Sequence, residues 1–322
     1  MKSRAGKVGP AREAEHQSFP DAPAVLKDYR YAVGLQACWR IVGGDGEVVA
    51  RLARMNILFV GDIFGRTGRR MVAAHLKRLQ GEFSVDFTVA NVENAAAGFG
   101  VTPKICEEFL EMGVDAMTSG NHIWDKAEVY DYLDKQPLLL RPANYKASLP
   151  GKGLLVHAAK NGTPIAVMNL QGRTFMADID DPFEKAEQLL AQIPDEVKVR
   201  FVDFHAEVTS EKVGMGWHLD GRVSAVIGTH THIPTADERI LPRGTALQAD
   251  AGMTGAYGSI IGATPESALK RFLTGIPNRL EISEADPQLR GAVVTVDDAT
   301  GRAQKIVRVK VAGIESRETL TS

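Results

Sequence analysis

Six short apolar runs constrain this chain more than any other feature: Ile57 to Val60, Phe87 to Val92, Ala116 to Thr118, Ile165 to Leu170, Val197 to Phe204 and Val223 to Ile227. Each is nearly continuous in hydrophobicity and rich in β-branched residues, as strands covered on both faces must be. Between them, Arg69 to Leu79, Pro103 to Met112, Lys126 to Leu133 and Pro182 to Ile193 carry helical spacing, with Pro103 and Pro182 suited to a first turn. Strand and helix in alternation predict a layered α/β sheet. Near the end, Gly291 to Asp297 and Ala303 to Val311 flank Asp298-Ala299-Thr300-Gly301, and this pattern predicts a hairpin that completes a sheet.

The residues that follow these runs are chemically loaded. Asp62 comes after the first, Glu93 and Asn94 after the second, Asn121 and His122 after the third, His205 after the fifth, and His230-Thr231-His232 after the sixth. In open α/β sheets the loops leaving the carboxyl ends of strands line the ligand crevice, so five such loops are expected to converge. The ordered set predicts a two-metal phosphoesterase. A phosphodiester needs its nonbridging oxygens neutralised and a water acidic enough to attack phosphorus, and two cations about 3.5–4 Å apart supply both. Imidazole, carboxylate and amide donors without thiolate suit iron or manganese better than magnesium, with zinc less favoured. Period-two spacing of His230 and His232 on an extended segment is expected to turn both rings to one side. His75, His157 and His218 read as structural residues. Gly65 to Gly68 reads as a tight turn presenting Asp62, with Arg66 and Arg69 as weaker phosphate candidates. Gly252 to Gly258 reads either as a ligand-approaching loop or as a plain surface loop. Glu207, Glu211 and Lys212 are expected to orient His205 or to cap the next helix.

Composition excludes several alternatives. The 322 residues are 44% hydrophobic and 24% charged, enough for one large domain, and the net charge of -2 gives no general polyanion-binding field. No stretch approaches the roughly 20 apolar residues of a membrane span. Only Cys38 and Cys106 are present, too few for a disulfide framework, and Cys106 lies in a helical pattern as a buried thiol. A reducing, cytoplasmic compartment is therefore expected. Residues 1 to 54 form a polar extension without a signal-peptide core. Its apolar patch Ala32 to Val42, followed by Gly43-Gly44-Asp45-Gly46, leaves a hairpin open. Met55 is expected to be the true initiator, with residues 1 to 54 an upstream extension of the reading frame or a disordered tail and a native N-terminal appendage the alternative, residues 55 to 313 the domain, and 314 to 322 a tail.

Gly61-Asp62, Gly120-Asn121-His122, His205 and Gly228-Thr229-His230-Thr231-His232 resemble the blocks of the calcineurin-like metallophosphoesterases. Two departures narrow this. Phe64 stands where the usual Asp-x-His opening has a histidine, and Glu93 replaces the usual bridging aspartate. With Gly61 to Arg69, Asn91-Val92-Glu93-Asn94-Ala95-Ala96, Ser119 to Trp124, Asp203 to Glu207 and Thr229 to Pro234, the chain from Met55 to about Val311 is similar to the bacterial YmdB-like family of 2′,3′-cyclic-nucleotide phosphodiesterases.

The resemblance implies an α/β/β/α sandwich, with room for a small cap insertion. It implies that Glu93 bridges two divalent metals, that Asp62, Asn94 and His232 complete one site, and that Asn121, His205 and His230 complete the other. Asn94 then replaces the missing histidine. His122 is the expected general acid, and attack by a metal-bridging hydroxide would open 2′,3′-cyclic nucleotides to 3′-phosphates. Other expected partners are further phosphodiesters, RNA ends and a second copy of the chain, and no membrane. Two other readings stay open: hydrolysis of linear diesters or monoesters, and a regulatory RNA-related role with a structural metal site.

Overall fold

The computed structural model describes residues 54–314. The expectations for the N-terminal extension, including its hairpin and Cys38, and for the tail from residue 315 lie outside the described residues.

The first sheet contains β1 (Arg54–Val60), β2 (Phe87–Asn91), β3 (Ala116–Thr118), β10 (Gly255–Ala256), β11 (Pro287–Asp297) and β12 (Ala303–Ala312). Its first three strands are parallel, while β11 runs antiparallel to both β1 and β12. The second contains β4 (Leu154–Ala158), β5 (Pro164–Gln171), β6 (Val199–His205), β7 (Ala225–Thr229), β8 (Arg239–Ile240) and β9 (Ala246–Gln248). Here β5, β6, β7 and β9 are parallel, and β4 and β8 close the two edges antiparallel.

Strand alternation builds the layers. Ile57 and Phe59 point between the sheets with Phe87 and Val89, where they meet Val167, Phe201 and Ile227. The intervening Leu58 and Val60 face α1 (Gly65–Glu82) and α2 (Pro103–Glu111), packing with Met71, Val72, Leu76 and Phe109. On the far side Met168, Val202 and Val226 pack with Ala186 and Leu189 of α4 (Pro182–Leu190) and with Met215 and Leu219 of α5 (Thr209–Leu219). The result is the expected α/β/β/α sandwich. The Phe59 and Phe201 rings lie 5.2 Å apart across its centre, and a fully buried side chain of this size contributes about 1.5–3 kcal/mol.

The segment from Lys126 departs from expectation. It forms a single tight turn over Ala127–Val129 and then only the short α3 (Tyr130–Leu133). Helix nucleation is costly in so short a stretch, and the Tyr130 hydroxyl donates to the Trp124 carbonyl at 2.6 Å, tying the turn to the preceding loop. α5 is the helix expected after His205, and its bounds are not legible in the sequence because Gly214 and Gly216 weaken its helical pattern. A Cβ at Gly216 would lie 2.7 Å from Leu247 Cδ1, so a larger residue would have to displace that buried side chain. Between β10 and β11 the chain makes an excursion that carries α6 (Pro265–Thr274), and Leu269, Phe272, Leu273 and Ile276 on or just after it are exposed.

Candidate metal centre

The carboxyl ends of β1, β2, β3, β6 and β7, drawn from both sheets, deliver all the chemically loaded residues to one place. Glu93 is the hub. Its Oε1 accepts from Asn94 Nδ2 at 2.9 Å and lies 3.2 Å from His205 Nε2, while its Oε2 accepts from the His122 backbone N–H at 3.2 Å. On one side Asn94 Nδ2 reaches His232 Nε2 at 3.2 Å. On the other, His205 Nε2 lies 2.9 Å from Asn121 Oδ1 and 3.0 Å from His230 Nδ1. Donor atoms of Glu93, His205 and His230 all fall within 4.8 Å of one another. Asp62 accepts from the His230 backbone N–H on Oδ2 at 3.1 Å, and its Oδ1 is buried without a partner. Gly120 has no side chain because a Cβ would collide with both His205 and Glu93.

The outer hydrogen bonds fix which ring nitrogens carry protons. Thr229 Oγ1 donates its hydrogen to Asp203 Oδ1 at 2.7 Å, so at 2.9 Å from His205 Nδ1 it can only accept. His205 Nε2 is thereby left with a lone pair aimed inward. Glu207 Oε2, 3.0 Å from His230 Nε2, fixes the proton there and turns the Nδ1 lone pair inward. The Ile261 carbonyl, 3.1 Å from His232 Nδ1, does the same for His232 Nε2. Three inward lone pairs, two carboxylates and the Asn121 carbonyl oxygen are mutually repulsive unless a cation lies among them. A donor set of this kind fits divalent metal ions, with each outer partner orienting its ligand.

Burial sets the ionisation of the set. It pushes Asp62 up to about 7, with Asp250 adding to the shift, and holds Glu93 well above the usual carboxylate range, with Asp62 adding. Burial also pulls His205 well below its ordinary value, His230 down to about 4, and His232 down. Near neutral pH the imidazoles are therefore already neutral, while the carboxylates share protons that a metal must displace. Metal uptake should release protons to the buffer, and affinity should fall as pH drops below about 7, where Asp62 protonates, with the raised Glu93 adding to the loss. Calorimetric titration in two buffers of different ionisation heat checks this, and identical heats in both buffers would contradict it.

The profile of the YmdB-like protein family matches residues 58–309. A Bacillus subtilis (strain 168) protein, 2′,3′-cyclic-nucleotide 2′-phosphodiesterase, is 49% identical over 257 residues, which is 80% of this chain and 97% of that one. The chain belongs to the YmdB-like family. Two solved structures extend the likeness to the fold. A hypothetical protein from Thermus thermophilus superimposes with a TM-score of 0.75 at 39% identity, covering 80% of this chain and 99% of its own. A Mycoplasma pneumoniae phosphatase does so with a TM-score of 0.76 at 33% identity, covering 81% and 94%.

In this YmdB-like chain several local readings need correction. His230 and His232 do not share an extended segment: β7 ends at Thr229, and the two residues have φ of +101° and +66°. Their rings reach different parts of the site because the backbone bends there, at a cost of roughly 1–3 kcal/mol per residue. Glu207 orients His230, not His205. Glu211 accepts from the backbone N–H groups of Arg173 and Thr174 instead. Lys212 forms a buried ion pair with Asp250 at 2.6 Å, and Asp250 accepts from Thr231 N–H and Oγ1, so this pair anchors the histidine loop. Gly65 to Gly68 is the first turn of α1, and Arg69 is spent on Glu108 at 3.1 Å. Gly252 and Met253 are buried, and the Thr254 N–H donates to the Asp62 carbonyl, so this stretch is no surface loop. Phe64 packs edge-on against His232 at 5.5 Å. His75 is a buried structural residue whose Nε2 lies 2.8 Å from the Gly313 carbonyl.

Asp203 and Asp125 were missed as functional residues. Asp203 is buried in the centre of β6, held up at about 7 by burial, and receives hydrogen bonds from Thr118, Asn91 and Thr229. Its signal was an acidic residue inside an otherwise apolar strand. Asp125 Oδ2 lies 2.8 Å from His122 Nδ1, and its three-residue spacing from His122 was the only available clue.

Proposed function

We propose that this protein is a metal-dependent phosphodiesterase that opens 2′,3′-cyclic nucleotides to 3′-phosphates. The observation that carries the reading is the gathering of the inward His205 and His230 lone pairs around Glu93, beside a solvent-reachable His122 paired with Asp125. The B. subtilis relative's name supports the substrate class. Glu93 would be the shared carboxylate, Asp62, Asn94 and His232 would hold one cation, and Asn121, His205 and His230 would hold the other. For Asn94 to serve, its amide must present Oδ1, an orientation set by the network around it. When bound, two such ions supply charge neutralisation on the phosphate oxygens and an acidified water.

His122 does the proton work. With Nδ1 engaged by Asp125 at 2.8 Å the ring is held in orientation, and Nε2 is free to protonate the departing 2′-oxygen. A regulatory protein with a structural metal site has no use for such a dyad. Linear diesters, RNA ends among them, remain a second class of substrate for the same machinery, since pocket walls rather than the core set selectivity.

Turnover of 2′,3′-cyclic AMP against linear diesters and monoesters, with elemental analysis of the metal, tests the assignment. Chelation should silence the enzyme, and manganese or anaerobic ferrous iron should restore it better than magnesium, which prefers oxygen ligands and retained waters. Full activity after chelation, or best rescue by magnesium, would refute the histidine-rich two-metal site.

Among the described residues no helix is long and apolar enough to cross a membrane. The buried free thiol of Cys106 supports a reducing compartment. The expected self-association is supported by the exposed Ile261, Phe272, Leu273 and Ile276. Sedimentation velocity should show an oligomer that Phe272→Asp with Leu273→Asp converts to monomer, and a monomeric wild type would end that idea.

A further inference from the structure

Phe99 is an apolar side chain left 43% exposed at the mouth of the site, with its ring 5.1 Å from the ring of His122 in an edge contact. Its backbone is pinned. The Phe99 N–H donates to the Ala96 carbonyl, Gly98 N–H to the Asn94 carbonyl, and Ala96 N–H to the Gly100 carbonyl. Ala97, Gly98 and Gly100 all have positive φ, at +57°, +87° and +77°, so the turn is wound tightly and two of its three left-handed positions are glycine. Gly100 lets the turn close on the His122 loop, since a Cβ would lie 2.8 Å from Lys126 Cγ and 3.4 Å from the His122 carbonyl oxygen. The sequence therefore invests in holding one exposed aromatic ring fixed against the general acid, on a turn whose Gly98 N–H is tied to the Asn94 carbonyl.

We infer that Phe99 is the platform on which the nucleobase of the substrate stacks, making it a residue that selects nucleotides over base-free cyclic esters. The inference rests on the proposed activity. In a 2′,3′-cyclic nucleotide the base is borne on the carbon next to the one that carries the 2′-oxygen. A substrate whose 2′-oxygen faces His122 thus places its base beside whatever lines that imidazole, and Phe99 is the exposed ring there. Stacking on a π-face tolerates any base, so the platform favours nucleotides as a class without selecting among them.

The experiment compares wild type with Phe99→Ala, Phe99→Leu and Phe99→Trp on 2′,3′-cyclic AMP and on a base-free five-membered cyclic phosphate such as glycerol 1,2-cyclic phosphate. The Ala and Leu variants should lower the ratio of kcat/KM for the nucleotide over the base-free ester by about tenfold, the size of one base–aromatic stacking contact. The loss should appear in KM, and Phe99→Trp should restore it. Phe99→Leu keeps an apolar cover on His122, so it separates stacking from shielding and guards against a poorly folded Ala variant. Equal losses on both esters, or a shifted pH profile of kcat, would make Phe99 a positioning residue for His122 and overturn the stacking role. A wild type that hydrolyses no 2′,3′-cyclic nucleotide would sink the substrate reading and this inference together. A wild type that hydrolyses them while the ratio stays fixed in every variant would sink the inference alone.

Discussion

Glu93→Gln should reduce phosphodiester hydrolysis by more than about 10³-fold while leaving the protein folded. A single neutral donor aimed at developing charge is already worth about 10²–10³ in rate, and Glu93 is asked to hold both cations. Its position between Asn94 and His232 on one side and His205, Asn121 and His230 on the other is what makes one substitution act on both. The fold should survive because Glu93 is buried, and burial together with the nearby Asp62 raises its cost of ionisation. An amide of the same shape removes that cost, so the melting temperature of the metal-free variant should not fall. Elemental analysis should find less than the full metal content. A Gln variant that keeps two metals and near-normal turnover would refute the shared-ligand role.

His122→Ala should keep both metals and lose about 10²–10⁴-fold on linear diesters with poor leaving groups, the usual worth of general-acid help. The loss on 2′,3′-cyclic nucleotides should be smaller, because ring strain leaves less for the proton to do. Asp125→Asn should fall part-way, since it keeps the imidazole but weakens the Nδ1 contact that orients the ring. Elemental analysis and turnover on matched cyclic and linear esters decide between roles. Loss of metal in the alanine variant would make His122 a ligand, contrary to its Nδ1 being engaged by Asp125.

Apolar runs and the residues after them were enough to foresee a layered α/β sheet and the cluster at its strand ends, while the two-sheet sandwich came from the family resemblance. A strand covered on both faces advertises itself by continuous hydrophobicity, and Ile57 to Val60 or Phe87 to Val92 could hardly be anything else. The carboxyl-end rule then collected Asp62, Glu93, Asn94, Asn121, His205, His230 and His232 without any coordinates. What local pattern could not reach were contacts between residues distant along the chain. Asp203 meets Asn91 and Thr118 only because the second sheet packs across the first, and Lys212 finds Asp250 only through the β7 to β9 pairing. The inward lone pairs of His205 and His230 depend on Thr229 and Glu207, whose geometry no spacing encodes. Even His-x-His, which alone predicts rings on a common side, reached the site through two left-handed turns that only the close approach of β7, the buried Asp250 and the Ile261 carbonyl could impose. Sequence by itself determined which metal-binding side-chain types stand at the strand ends, because side-chain type and strand ends are local properties. The tertiary structure alone decided which proton each of them holds and which way each lone pair points, because those depend on partners that only folding brings within hydrogen-bond reach.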